Sequence, residues 1–454
     1  MQKLPDKPPA DSNINQTMYG DYRDIQKDVI DFNRRYLYWD ELKYRIKDQD
    51  RRQFVWSWMR LLRTMRLEKI PFTHQNISYS FIPEIVKGLH TIDRYLSGSI
   101  EIHNKTIKLE QSYIINSLME EAIASSILEG ADTTRKVAKN MLMKGSKPKS
   151  HAEQMILNNY EAMRFIVERK NIPLSKEFIL GLHRVVAKDT MDENYVGQFR
   201  TDNEVQVVDS STGLLYHTPP DFNIIEGFIE ELCKFANGDA TNDKKESDNF
   251  IHPIIKGIIL HYLIGYLHPF NDGNGRTARS IFYWYVLSRG YWLFEFMPIS
   301  RIILRSKQKY ELSYLYSEYD GGDLTYFIKY NISCITKSLD DLLKYLEKKQ
   351  SEQNATKAII KKIKDINQRE AAIIRYMMEH SDEHFTIKQL MQMHGVVYQT
   401  ARSDLLHLTE RGYLIKEAGR GKEFYFIFNE NSELWKEKSE RKLSKEPQKK
   451  LGGF

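Results

Sequence analysis

The sequence predicts a mainly α-helical protein with one small β-hairpin in its middle and a winged-helix module towards its end. Three observations predict it. Apolar residues recur at helical spacing over most of the chain, as in "DRRQFVWSWMRLLRTMRL" and "FIPEIVKGLHTIDRYL". One stretch, "EVQVVDSSTGLLYHTPP", instead alternates, is rich in valine and turns at Ser-Ser-Thr-Gly. From Gln368 onward, three short helical patterns lead into two apolar strands around a Gly-Arg-Gly turn.

Taken in order, "MQKLPDKPPADSNINQTMYG" is polar and Pro-containing and reads as a loose leader. With the helical stretch that follows it, the leader makes a first region, residues 1–110, expected to be a helical platform without chemistry of its own. Residues 111–340 continue the helical pattern and contain the hairpin, with "DATNDKKESDN" as a charged surface loop. Residues 341–367 alternate in charge sign and read as a solvated helical connector, either one helix or two with a break. In residues 368–430, "QREAAIIRYMMEH", "TIKQLMQMHG" and "VYQTARSDLLHLTERG" give three helices. The second begins at Thr386 and closes at Gly395, and "YLIKEAGRGKEFYFIF" gives the two strands. Residues 431–454 are a polar, Lys-rich tail.

Composition narrows the class. The chain has 454 residues, 41% apolar and 12% aromatic, enough for a buried core of two to four domains. The 67 Lys and Arg against 61 Asp and Glu leave +6, too little over this length to specify a partner. Cys233 and Cys334 lie far apart and define neither a ligand set nor a disulfide framework, so a reducing cytoplasm is expected. The N-terminus lacks the apolar segment of a signal peptide, and no run of eighteen apolar residues predicts a membrane span. "GIILHYLIGYLHPF" is apolar but short and contains two histidines, which suits a buried core helix.

The chemistry concentrates in "HPFNDGNGRTAR", residues 268–279. Pro269 disfavours the α conformation at His268, so the preceding helix should end there. "NDGNG" holds turn-forming residues, and "RTARSIFYWYVLSRG" resumes a helix. A tight loop running into a helix N-terminus aims backbone N–H groups at one point and makes an anion site. Gly273 and Gly275 allow close approach of a ligand. Arg276 and Arg279 share a face of the first turn, where their charge opposes the helix dipole and calls for an anion. Asp272 supplies a hard oxygen of the kind magnesium takes together with substrate phosphates. His268 suits proton abstraction from a hydroxyl near neutral pH. "GNGRTA" also fits the dinucleotide-binding fingerprint, but a helix rather than a strand precedes it. His261, seven residues before His268, lacks the i, i+4 spacing of a zinc pair and reads as a core histidine.

This stretch resembles the Fic family (filamentation induced by cAMP), whose motif is H-x-F-x-[D/E]-G-N-G-R-x-x-R. His268, Phe270, Asp272, Gly273, Asn274, Gly275, Arg276 and Arg279 match every fixed position. The resemblance covers about residues 111–337 and implies a helical Fic core and protein adenylyltransferase activity. In that reading His268 deprotonates a Tyr, Ser or Thr hydroxyl of a target protein, which attacks the α-phosphorus of ATP. Asp272 holds Mg2+ (or Mn2+). The Gly273–Gly275 amides, with Asn274, form the anion hole, Arg276 and Arg279 hold the β- and γ-phosphates, and Phe270 is a core anchor. The resemblance makes the hairpin a flap that docks the target segment, with Val205, Val207, His217 and Thr218 as candidate docking residues, and "GQFR" as its lead-in.

A second resemblance concerns control. "SSILEG" matches the family's inhibitory pattern [S/T]-x-x-x-E-[G/N], with Ser125, Glu129 and Gly130 at its fixed positions. "SYIINSLMEEAIASSILEG" reads as a helix stopped at Gly130, which leaves Glu129 at the end where the dipole disfavours an anion. The resemblance supplies the compensating cation, Arg279, and implies a brake on ATP use. The same glutamate can instead serve removal of AMP, and a different donor nucleotide is an alternative. The C-terminal module resembles the winged helix-turn-helix found after some bacterial Fic cores. Gln399, Thr400 and Arg402 on its third helix, and Arg420 and Lys422 at the wing tip, are candidate DNA contacts. Binding to protein or pairing as a homodimer is the alternative, and a DNA-binding regulator that uses the Fic core as a nucleotide sensor is the competing function. Self-modification is expected of the enzyme.

Overall fold

The computed structural model describes residues 4–9, 22–96, 101–102, 105–106, 111–209, 212–238, 250–360, 363, 365–379, 384–394, 396–418, 424–433 and 436. The charged loop at 239–249, Gly395, Arg420, Lys422 and nearly all of the tail therefore lie outside the described residues. The chain divides into two compact units, Met1–Leu342 and Leu343–Phe454.

The first unit opens with α1 (Tyr22–Arg35), α2 (Trp39–Leu42) and α3 (Gln49–Thr64). Two strand pairs then frame the next helix: β1 (Glu68–Lys69) with β2 (Ser78–Tyr79), then α4 (Pro83–Leu96), then β3 (Glu101–Ile102) with β4 (Lys105–Thr106). The sequence pattern suggested helices alone here. Pro71 and the polar "THQN" that follows it cannot continue a helix, and the chain reverses between β1 and β2 instead.

The core follows with α5 (Gln111–Leu128), α6 (Arg135–Lys144), α7 (His151–Glu168) and α8 (Lys176–Ala187). Thr134, Ser150 and Ser175 each accept a backbone N–H of the third residue on, which caps α6, α7 and α8 and satisfies donors the helices leave open. The hairpin β5 (Val207–Val208) and β6 (Leu215–His217) comes next, then α9 (Ile225–Asn237).

Helix α10 (Pro253–Leu267) begins with Pro253 at its first position, behind a capping His252. It is apolar on every side and almost wholly buried, so it needs neighbours all round. It packs against α11 (Asn274–Ser288) on one side and α9 on another. Ile258, Leu260, Leu263, Ile264 and Leu267 are completely buried, and each such side chain stabilises the fold by about 1.5–3 kcal/mol. α12 (Ile299–Leu304) and α13 (Lys307–Tyr319) follow, and α14 (Thr325–Ile360) begins in this unit and ends beyond its boundary. α14 runs unbroken for 36 residues and takes in residues 341–360, so that part of the connector is one helix.

The second unit holds α15 (Gln368–Glu379), β7 (His384–Phe385), α16 (Ile387–His394), α17 (Tyr398–Glu410), β8 (Leu414–Ala418) and β9 (Phe424–Phe428). Its antiparallel sheet has the order β7-β9-β8. Ile374, Leu405, Leu408 and Phe426 are completely buried at its centre. Thr386 and Gln389 exchange hydrogen bonds at the start of α16, the reciprocal cap that two such residues form at this spacing. No helix among the described residues is long and apolar enough to cross a membrane.

Candidate active site

The loop between α10 and α11 is a tight reversal with every bend fixed. His268 closes α10 in the left-handed region, at φ 47° and ψ 58°. For a residue with a Cβ that conformation costs about 1–2 kcal/mol, and the surroundings must hold it. They do so through the main chain on both sides. The His268 N–H donates to the Ile264 carbonyl at 3.0 Å, and Arg200 Nε donates to the His268 carbonyl at 2.9 Å. The Arg200 backbone N–H donates to the Pro269 carbonyl, and its Nη2 donates to the Pro220 carbonyl. Arg200 thus ties the loop to the chain before and after the hairpin.

Asn274 closes the loop from inside. Its Oδ1 accepts the Phe270 N–H at 2.9 Å while its Nδ2 donates to the Phe270 carbonyl at 2.7 Å. The Asn274 side chain is buried and fully engaged, so what it offers an anion is its backbone N–H. Phe270 is completely buried, with its ring stacked on His183 at 3.7 Å. His183 accepts the Gly197 N–H at Nδ1, so its Nε2–H donates to the Asp272 carbonyl at 2.9 Å. Burial holds this imidazole neutral, with its pKa pushed down to about 4. Neither His183 nor the inward use of Asn274 was visible in the sequence. A buried histidine that needs two partners was the available hint.

Gly273 takes φ +80° before α11, a conformation that suits glycine and points the first turn of the helix at the cavity. The amides of Asn274, Gly275 and Arg276 have no partner inside the helix. Gly275 matters for another reason. A Cβ there would lie 2.2 Å from Glu129 Oε1, so no side chain fits between this turn and the Glu129 carboxylate.

The two arginines diverge. Arg276 is buried, donates from Nη1 to the Val186 carbonyl at 3.0 Å and lies 3.4 Å from Asp272 Oδ2. Burial lowers its pKa, with Arg279 adding to the effect. Arg279 is also buried but lines the cavity. Its Nε donates to Ser125 Oγ at 2.8 Å, its Nη2 donates to the Ser125 carbonyl at 3.0 Å, and Nη2 lies 2.8 Å from Glu129 Oε1. Arg279 is buried while the Glu129 side chain is 32% exposed; desolvation disfavours both charges, but their mutual attraction outweighs it. The Arg279 pKa is raised and the Glu129 carboxyl is held below its ordinary value. Gly130 follows at φ +93° and ends α5.

His268 has one ring nitrogen engaged. Its Nδ1 lies 2.8 Å from the Gly265 carbonyl. A carbonyl only accepts, so Nδ1 bears the hydrogen and Nε2 keeps a lone pair. Burial lowers the imidazole pKa against the opposing pull of that carbonyl, which favours the neutral, basic form. Asp272 Oδ1 accepts the Gly273 N–H at 2.6 Å, and the side chain is 57% exposed. Among the described residues no group of three or more His, Cys, Asp or Glu side chains is arranged to hold a metal by itself.

A cavity of about 340 Å³ joins these parts, bounded by His268, Arg279, Glu129, the hairpin and one face of α13. In the hairpin, Val207 pairs with His217 and Val208 with Leu215, with a shift of register between them. Val205 and Thr218 flank the paired residues. His217 Nε2–H donates to the Tyr266 carbonyl at 2.7 Å, and Nδ1 lies 2.9 Å from Glu318 Oε2. In the second unit Gln399 and Arg402 are exposed and Thr400 is half-buried on the first turns of α17.

A helical core here brings a neutral histidine, an exposed carboxylate and an arginine around a helix N-terminus. Residues 173–286 match the Fic/DOC family. It is 25% identical over 240 residues to the protein adenylyltransferase Fic of Nematostella vectensis, covering 52% of this chain and 50% of that one. The Drosophila mojavensis protein of the same name is 26% identical over 262 residues, covering 56% and 47%. The chain spans about half the length of the curated relatives it matches. A crystal structure of a Fic family protein from Desulfovibrio desulfuricans G20 shares the fold at 17% identity and a TM-score of 0.51, covering 78% of this chain and 98% of that one.

Proposed function

We propose that the chain is a protein adenylyltransferase that moves AMP from ATP to a Tyr, Ser or Thr hydroxyl and is held off by Glu129. The observation that carries the reading is the free Nε2 of His268, which opens on a cavity walled by a helix N-terminus and Arg279. Nε2 takes the hydroxyl proton, the oxygen forms a bond to the α-phosphorus, and the bond to diphosphate breaks. The open amides of α11 receive charge as it develops on the phosphoryl oxygens. Arg279 is the cation for the terminal phosphates, and Arg276 acts by fixing the loop and Asp272. Asp272 fits magnesium, since that ion commonly takes one carboxylate with substrate phosphates, and its carboxylate is exposed. The metal would supply charge neutralisation at the phosphates.

Glu129 supports the brake reading because its carboxylate lies over Gly275 and pairs with Arg279, in the seat an incoming phosphate needs. The family match begins at residue 173 and leaves Glu129 outside it, so this claim rests on the geometry. The test is mass spectrometry of the protein after incubation with ATP and Mg2+. Glu129→Gly should raise AMP transfer, self-modification included, by about 10-fold or more, since it frees a charged hydrogen-bonding group. Adding His268→Ala should abolish it. A Glu129→Gly protein as slow as the parent sinks the brake, and loss of pre-loaded AMP as the main reaction favours AMP removal.

For the second unit we propose a winged helix-turn-helix with α17 as the reading helix, supported by its three helices, three-stranded sheet and exposed Arg402. A gel shift on duplex DNA at two salt concentrations should show binding that weakens with salt, and Arg402→Ala should weaken it further. Absence of any shift at low salt excludes DNA as its ligand.

A further inference from the structure

All the hydrogen-bond partners described above for Arg279 come from one helix end. Ser125 Oγ, the Ser125 carbonyl and Glu129 belong to the last turn of α5 or the residue after it. Whatever lifts Glu129 away by moving that end removes all three together. A buried guanidinium left without these three would be strongly destabilised unless another element still held it. Arg279 is already incompletely satisfied, because its buried Nη1 makes no hydrogen bond.

A second acceptor stands beside it on an independent element. Tyr310, on α13, lines the same cavity and interacts electrostatically with Arg279. Its hydroxyl lies 2.9 Å from Nε2 of His261, which is buried on α10. Burial and the charge of Arg279 push the His261 pKa down to about 3, so the ring is neutral. The phenol already interacts with Arg279 and Tyr314 as side-chain hydrogen-bonding partners while Glu129 is in place. The rings of Tyr310 and Tyr314 meet edge to face at 5.3 Å, and Tyr314 also packs against Phe327, so the phenol is braced from sides that α5 does not supply.

We propose that Tyr310, tethered by His261, is a positioning residue for Arg279: its hydroxyl is the seat the guanidinium keeps when Glu129 withdraws. The proposal rests on the adenylyltransferase reading. It adds a partner that holds Arg279 in the active state and gives His261 a role in nucleotide selection. Because Arg279 serves the terminal phosphates, the seat should matter for ATP and little for ADP.

The experiment uses the full chain carrying Glu129→Gly as parent, with Tyr310→Phe, His261→Leu and His261→Gln each added to it. Affinities for ATP and ADP are measured by calorimetric titration with Mg2+, and thermal unfolding checks folding. Tyr310→Phe should weaken ATP by about 10-fold, the worth of a hydrogen bond to a charged group, and leave ADP nearly unchanged. His261→Leu should act in the same direction, and His261→Gln, which keeps an acceptor, should restore most of the loss. Equal weakening of both nucleotides, or an unchanged ratio, overturns the seat while leaving the enzyme reading intact. A Glu129→Gly parent that binds neither nucleotide removes the reading itself, and the seat with it.

Discussion

The two sides of the cavity are built differently. On one side, the loop from His268 to Gly275 has its main chain held by Asn274, Arg200 and His183, all buried. On the other, the hairpin pairs only a few residues, and Val208 and Leu215 are 50% and 42% exposed. Its turn is closed locally by Asp209, which accepts from the N–H and hydroxyl of Thr212. The difference suits what the proposed reaction asks of each side. Phosphorus chemistry tolerates little displacement of base and anion site, since misplacement by about 1 Å can cost 100-fold in rate. A surface that receives a polypeptide gains from adjusting to it, and exposed short strands leave backbone groups available for pairing.

Asn274→Ala should give the largest change, because it attacks the rigid side at its centre. It leaves the N–H and carbonyl of Phe270 buried and unpaired, at about 1–3 kcal/mol each. The His268 backbone then has less to hold it in its left-handed conformation. In the Glu129→Gly background, AMP transfer should fall by about 100-fold with little change in the affinity for target. Transfer within about twofold of the parent, measured by label from ATP, would mean the loop keeps its shape without the clamp.

The contrast also governs how much was legible beforehand. The residues that do chemistry stand within twelve positions, and the all-apolar helix before them and the alternating hairpin after "GQFR" are patterns of local spacing. What supports them is not local. Val186, the partner of Arg276, is 90 residues away, and His183 reaches Asp272 across 89. Arg276 and Arg279 share a helix face by spacing, as expected, yet their long side chains end at unrelated partners. In the same way, alternating charges over residues 341–367 describe a solvated surface and say nothing about where a helix begins. α14 starts at Thr325, well inside the core. The resemblance puts Asn274 in the anion hole, and only the folded loop shows its side chain bonded to the backbone of Phe270.

His217 offers the smaller and more selective perturbation. It is the point where the adaptable side is fastened to the rigid one, through the Tyr266 carbonyl on α10 and Glu318 on α13. Glu318 is 31% exposed, so solvent screens this pair and its contribution is modest. His217→Ala should release strand β6 at its base while leaving the α11 amides and Arg279 in place. In the Glu129→Gly background the KM for a protein target should rise by about 5-fold, with the KM for ATP and the rate at saturation less affected, as expected when an interaction that only aligns the target is lost. If the ATP terms move as much as the target term, the hairpin is part of the nucleotide site as well, and the division of labour between the two walls does not hold.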